Sequence, residues 1–172
     1  MNLPQARVLA DKILAAAQPW CERIEVAGSV RRARPHVNDL DFVVLLKPHQ
    51  LMPFKARASA QATVVKSGDD IYIVRLKDGT QVDFYFARPP SADLLAPIPG
   101  NWGTVLLCRT GSKEHNIYLA QQAKRLGFQW EAMIGITLAV DMLGRTVLAS
   151  ETEDEMFKLL ELDFIPPERR ER

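Results

Sequence analysis

Asp39 and Asp41 stand one residue apart at the head of an apolar, β-branched run, DFVVLL. Residues two apart in a strand point to the same face, so both carboxylates project together. Clustered carboxylates are unfavourable without a cation between them, and hard oxygen ligands of this kind suit Mg²⁺ or Mn²⁺. Asp83 interrupts a second apolar strand, QVDFYFA, from which it can face the first two. Three carboxylates on neighbouring strands fit a two-metal site for phosphoryl transfer: one ion activates a hydroxyl nucleophile and the other holds a phosphate chain and leaving group. Directly upstream lies GSVRR. Gly28 permits a tight turn that aims backbone N–H groups at anionic oxygens, and Ser29 adds a hydroxyl donor. Arg31 and Arg32 offer guanidinium forks for phosphate oxygens. Each element alone is more often a plain turn, a solvated face or a strand cap. Their joint occurrence, with a strand aspartate downstream, favours a phosphate cradle beside a metal cradle.

The rest of the chain must position these groups. At 172 residues with 47% apolar content it can bury a core as one domain or two small lobes. Lys and Arg number 22 against 21 Asp and Glu, a net charge of +1, so any polyanion is gripped locally. The N-terminus has no apolar core of signal-peptide length and nothing later is long enough to span a membrane, so a soluble intracellular protein, not secreted, is expected. Cys21 and Cys108 form no CxxC or Cys/His cluster, which argues against structural zinc. The three histidines have no metal-ligand spacing.

Residues 4–17, with Val8, Leu9, Ile13 and Leu14 at helical spacing, predict an amphipathic helix ending before Pro19. RIEVAG predicts a short strand leading into the Gly28–Ser29 turn; residues 48–62 are left as loop or weak helix. Asp78-Gly79 between two alternating runs predicts a hairpin, with Val82, Phe84 and Phe86 on one face and Asp83 and Tyr85 on the other. A proline-rich stretch, ARPPSADLLAPIPG, reads as a connector between lobes. NWGTVLLCRT predicts a short helix, and SKEHNIYLAQQAKRLG a longer one capped by Ser112 and stopped by Gly127. ITLAVDMLGRTVLAS suggests another hairpin, and TEDEMFKLLEL, opened by a Thr152/Glu155 capping box, a last helix.

GSVRRARPHVNDLD resembles the signature of the polymerase-beta-type nucleotidyltransferases, and its two arginines at this spacing resemble DNA polymerase family X in particular. QVDFYFA, RTGSKEHN and LGRTVLASETEDEMFKLLELDFIPPERRE follow in family order, so the resemblance covers nearly the whole chain. The fold it implies is α+β: a nucleotidyltransferase palm over 1–90, with a mixed β-sheet flanked by helices, then a small α/β thumb-like nucleotide- and DNA-binding lobe over 91–172. The resemblance further implies that Asp39 and Asp41 bind both of two Mg²⁺ ions, with Mn²⁺ able to substitute. Asp83 would bind the catalytic one and help deprotonate the primer 3′-hydroxyl. Ser29 and Arg32 would hold the β- and γ-phosphates, Gly28 would shape the turn, Gly111 and Ser112 would lie against the sugar, and Asn116 would reach the minor-groove edge of the incoming base. Arg31, Arg109 and His115 are further candidate substrate contacts. Arg34, Lys113, Lys124, Arg125 and the ERRER tail are candidates for holding DNA.

Two departures stand out. Where members of the family often carry Tyr-Phe before Thr-Gly-Ser, this chain has Cys108-Arg109, which leaves the sugar's 2′ position uncrowded. Ala120 replaces an arginine that probes the template minor groove in some members. About 25 residues precede the glycine-serine motif, so neither a lyase domain nor helix-hairpin-helix fingers are expected. The activity implied is a metal-dependent, DNA-directed DNA polymerase that adds dNMP from dNTP to a primer 3′-hydroxyl, filling short gaps in base-excision repair. The alternative is a template-independent or ribonucleotide-tolerant terminal nucleotidyltransferase. The expected partners are primer-template or gapped DNA and dNTP, with a DNA ligase as a candidate protein partner. A monomer, cytoplasmic or nucleoid-associated, completes the expectation.

Overall fold

A capping box opens the first helix of the computed structural model, which describes residues 1–91, 98–138 and 146–171. The Asn2 side chain accepts from the Gln5 backbone N–H, the Gln5 side chain accepts in return from Asn2, and Pro4 stands in the first turn of α1 (Leu3–Ala17). The buried face of α1 is made of small residues, Ala6, Ala10 and Ala17, with Leu9, Ile13 and Leu14 packed beside them. Val8 departs from the expected apolar stripe: it is 57% exposed, because the close-packed alanine face turns it to solvent.

The chain divides into two units, Met1–Ala87 and Arg88–Arg172. In the first, β1 (Cys21–Val26), β2 (Asp39–Leu46), β3 (Ala62–Ser67), β4 (Ile71–Leu76) and β5 (Gln81–Ala87) form one mixed sheet in the order β1-β2-β5-β4-β3. Only the β2–β5 pair is parallel. One-turn α2 (Gly28–Arg31) follows β1, and α3 (Leu51–Ser59) follows β2. Phe54 fixes α3, meeting Phe84 and Phe86 edge-on at ring-centroid distances of 5.1 and 5.6 Å. That anchor resolves the stretch whose local pattern left helix and loop open. The Asp78-Gly79 hairpin forms as expected, with Gly79 at φ 87° and the Leu76 N–H donating to the Thr80 carbonyl. Edge strand β3 was not foreseen, since it is exposed on both faces and shows no clean alternation.

In the second unit α4 (Trp102–Thr110), α5 (Lys113–Arg125) and α6 (Glu153–Leu159) pack with a three-stranded antiparallel sheet, β6 (Phe128–Glu131), β7 (Gly135–Leu138) and β8 (Val147–Ala149). Its core centres on Leu107, Leu119, Ile136, Met156 and Phe157. The Thr152/Glu155 capping box is present. A Cβ on Gly103 would overlap the Thr152 backbone, so α4 meets the start of α6 at contact distance through a residue without a side chain. Strands β7 and β8 are the arms of the expected 136–150 hairpin; its turn, like the middle of the proline-rich connector, lies outside the described residues.

Candidate active site

Strand β2 presents Asp39 and Asp41 on one face while Leu40, Phe42 and Val44 enter the core on the other. The parallel register sets Asp41 beside Asp83 and Asp39 beside Gln81, so all four side chains share that face. On β5 the same alternation buries Val82, Phe84 and Phe86 in the core. Asp83 is buried, and its two oxygens accept from Gln81 Nε2 at 2.9 Å and Tyr85 Oη at 3.2 Å. These two partners went unnoticed in the sequence, although period-two alternation puts 81, 83 and 85 on one side of the strand.

The turn after β1 is built against this face. The Ala27 N–H donates to the Asp41 carbonyl at 2.8 Å, and Gly28 adopts φ 57°. A Cβ at Gly28 would collide with Asp41 Oδ2 and lie 2.7 Å from its Cγ, so the missing side chain makes room for the carboxylate. The turn does not stop at the glycine: Gly28–Arg31 closes a helical turn, and the Arg34 N–H returns to the Ser29 carbonyl at 2.9 Å. The Ser29 hydroxyl oxygen is buried and has no hydrogen-bond partner among the described residues. Leaving a buried polar group unsatisfied costs about 1–3 kcal/mol. Arg31 and Arg32 are half-buried; Arg34 and His36 are exposed. The loop carrying His36 is pinned by the Leu3 N–H to Pro35 and the Val37 N–H to Met1.

Asp39, Asp41 and Asp83 offer only carboxylate oxygens, the donor set that suits Mg²⁺ or Mn²⁺. Among the described residues no three His, Cys, Asp or Glu side chains are gathered into a ready metal cage. The aspartates share a face and a register, with Asp83 turned onto its strand neighbours.

The other predicted residues lie in the second unit. Gly111 ends α4 at φ 71°, the Gly111–Ser112 peptide is cis, and Ser112 caps α5 by accepting from the His115 N–H at 3.2 Å. Ser112 Oγ also donates to the Arg170 carbonyl at 2.7 Å, so its hydroxyl serves the fold. Asn116 Nδ2 donates to the Cys108 carbonyl at 2.8 Å, which fixes the amide and leaves Oδ1 buried without a partner among the described residues. His115 does not fit its expected role as a substrate contact: it is fully buried, its ring 5.9 Å from that of Phe157, because α5 turns that position into the core. Arg170 of the ERRER tail is likewise no solvent-exposed contact for DNA. Its guanidinium is buried, bonded to Glu153 at 2.7 Å and to the Ile165 carbonyl at 2.8 Å, and lies over the rings of Phe157 and Phe164. Arg109 is half-buried, whereas Lys113, Lys124 and Arg125 are exposed.

Burial raises both thiols above their ordinary range, Cys108 and more strongly Cys21, which is pushed up to about 11 with Lys47 opposing. No helix of the described residues is long and apolar enough to cross a membrane.

The described residues thus give a mixed α+β fold with a glycine turn beside strand carboxylates, and comparison with known proteins shows what it is similar to. Residues 105–171 match the family model of the DNA polymerase beta thumb. Over 146 residues, 84% of the chain, the sequence is 31% identical to a Bacillus subtilis (strain 168) protein described as DNA polymerase/3′-5′ exonuclease PolX. The chain spans about a quarter of that relative, 24% of its length. By both comparisons the chain resembles family X DNA polymerases.

Proposed function

We propose that the protein is a metal-dependent, DNA-directed nucleotidyltransferase that joins dNMP from dNTP to a primer 3′-hydroxyl, with short repair gaps as its preferred DNA. The 3′-oxygen attacks the α-phosphorus, a P–O bond forms, and pyrophosphate leaves. The observation that carries this reading is the Asp41–Asp83 register on a face bordered by a turn whose Ser29 hydroxyl is buried without a partner. Asp39, Asp41 and Asp83 would hold two Mg²⁺ ions, which when bound neutralise phosphate charge and make the hydroxyl more acidic. Ser29 and Arg32 bind the phosphate chain, and Gly28 keeps the turn close enough for them to do so. Asp83, oriented by Gln81 and Tyr85, takes the hydroxyl proton. In the other unit the fixed amide of Asn116 offers its free oxygen to the base, while Lys113, Lys124 and Arg125 contribute charge for the DNA backbone. Positioning and electrostatics supply the rate enhancement.

Extension of a labelled primer on one-nucleotide-gapped, open-template and template-free DNA, with Mg²⁺ or Mn²⁺ and single dNTPs or rNTPs, tests the proposal. Templated dNTP insertion favouring the gap supports it, and Asp83→Ala should reduce insertion to background with an unchanged circular dichroism spectrum. Extension without regard to template or sugar would replace it with terminal transfer, and near-normal insertion by Asp83→Ala would remove Asp83 from the mechanism.

A further inference from the structure

On the sheet face opposite the carboxylates, α1, α3 and strands β3 to β5 enclose a cavity of about 170 Å³. Its walls are mostly apolar, with Trp20, Phe54, Val82 and Phe84 among them. One charged side chain lines it, Arg57, in the last turn of α3, and Gln61 is the other polar residue of the lining. Both are exposed, so the polar part of the lining faces solvent. Among the described residues Arg57 makes no ion pair and no side-chain hydrogen bond. The aromatic residues of the wall are held by the sheet and by one another: Phe54 is edge-on to Phe84, and Phe84 stacks on Phe42 at 5.5 Å. The aromatic part of the wall is therefore fixed by the packing of the folded unit.

An enclosed apolar cavity of about 150 Å³ takes up a benzene-sized guest, so this pocket has by volume room for a single ring or a short branched chain. It is too small and too apolar for a nucleotide or for DNA. The unpaired guanidinium in its solvent-facing lining selects for an anionic head, and a carboxylate matches the guanidinium fork in two parallel hydrogen bonds. We propose that this cavity is a binding site for a small apolar carboxylate, its hydrocarbon body against Phe54, Val82 and Phe84 and its head on Arg57. The site is separate from the candidate active site and does not depend on the function proposed for it. Val82 and Phe84 flank Asp83 on one strand, so a guest presses on the strand that presents the carboxylate to the other face.

Titration of the full chain with 3-phenylpropionate, followed by calorimetry and by methyl NMR, tests the site. Saturable binding is expected, with shifts concentrated at Ile13, Val74, Leu76 and Val82, which line the cavity. Arg57→Gln should weaken 3-phenylpropionate about tenfold while leaving the neutral 3-phenylpropanamide unaffected. Ala58→Leu and, from the β3 wall, Ala62→Leu should each fill the space and abolish both ligands, with circular dichroism confirming the fold. Absence of methyl shifts at millimolar probe, shifts scattered over the surface, binding that survives both filling variants, or equal weakening of acid and amide by Arg57→Gln would each overturn the proposal.

Discussion

Gly28→Ala probes the link between the turn and the metal-ligand strand. Two penalties follow from the structure. At φ 57° an alanine is strained by about 1–2 kcal/mol. Its Cβ also overlaps the Asp41 carboxylate, and overpacking of this kind costs about 1–3 kcal/mol. The single substitution should therefore destabilise the protein by about 2–5 kcal/mol. In an Asp41→Ala background the carboxylate is gone and the Asp41 Cβ, 3.0 Å from the new methyl group, needs only a small shift. There Gly28→Ala should retain only its backbone strain, a coupling of about 1–3 kcal/mol between the two positions. Urea unfolding of the four proteins, compared at equal m-value, measures the cycle. Additivity within about 0.5 kcal/mol would refute the claim that the glycine exists to admit Asp41.

Ser112→Ala removes the α5 cap and the hydroxyl tie to the Arg170 carbonyl, and should lower stability by about 1–2 kcal/mol, seen as a drop in Tm. Arg170→Met takes the guanidinium from beside the buried Glu153 carboxylate; a loss of about 3–5 kcal/mol is expected, with part recovered by adding Glu153→Gln. Arg170→Lys should stay well below wild type, because an ammonium cannot reproduce the planar contacts with Phe157 and Phe164. For Cys21 the folded state holds the thiol proton more tightly than the unfolded chain, with a pKa near 11 against 9.0. That stabilisation is complete below about pH 9 and is lost as the pH rises toward 11. The difference in unfolding free energy between wild type and Cys21→Ala should accordingly stay constant up to pH 8 and shrink above pH 9.

The parts of the fold that the sequence announces are those fixed by near neighbours. The Asp78-Gly79 hairpin, the Ser112 cap and the Thr152/Glu155 box each need only three or four consecutive residues, and each forms as expected. Strands β3 and β6 escaped because an edge or a mostly surface strand is defined by its partner, not by its own alternation. Val8 and His115 went wrong for the same reason in opposite directions. Helical spacing says which residues share a face, but the neighbour that covers the face decides whether an alanine row or a valine is buried, and whether a histidine meets Phe157 or water. At the candidate site, residue types and spacing picked out the carboxylates and the glycine turn. The burial of the Ser29 hydroxyl is a matter of enclosure that no short motif encodes, whereas the hold of Gln81 and Tyr85 on Asp83 joins residues two apart on one strand.

Strand β5 is buried on both sides from Val82 to Ala87, and that constrains its length more than its composition. Inserting one residue before Val82 would invert the strand, sending Asp83 among the phenylalanines and a phenylalanine toward Asp41. Inserting two would restore the faces but carry Asp83 about 7 Å along the sheet, away from Asp41. Conservative substitution can therefore be absorbed along β5 while indels cannot, and the segment has to be inherited at fixed length. The neighbouring turn is free of that constraint: nothing lies within 4 Å of a side chain built on Gly79. Lineages of this fold should accordingly vary in length at Asp78-Gly79 and stay in frame across the seven residues that follow Thr80.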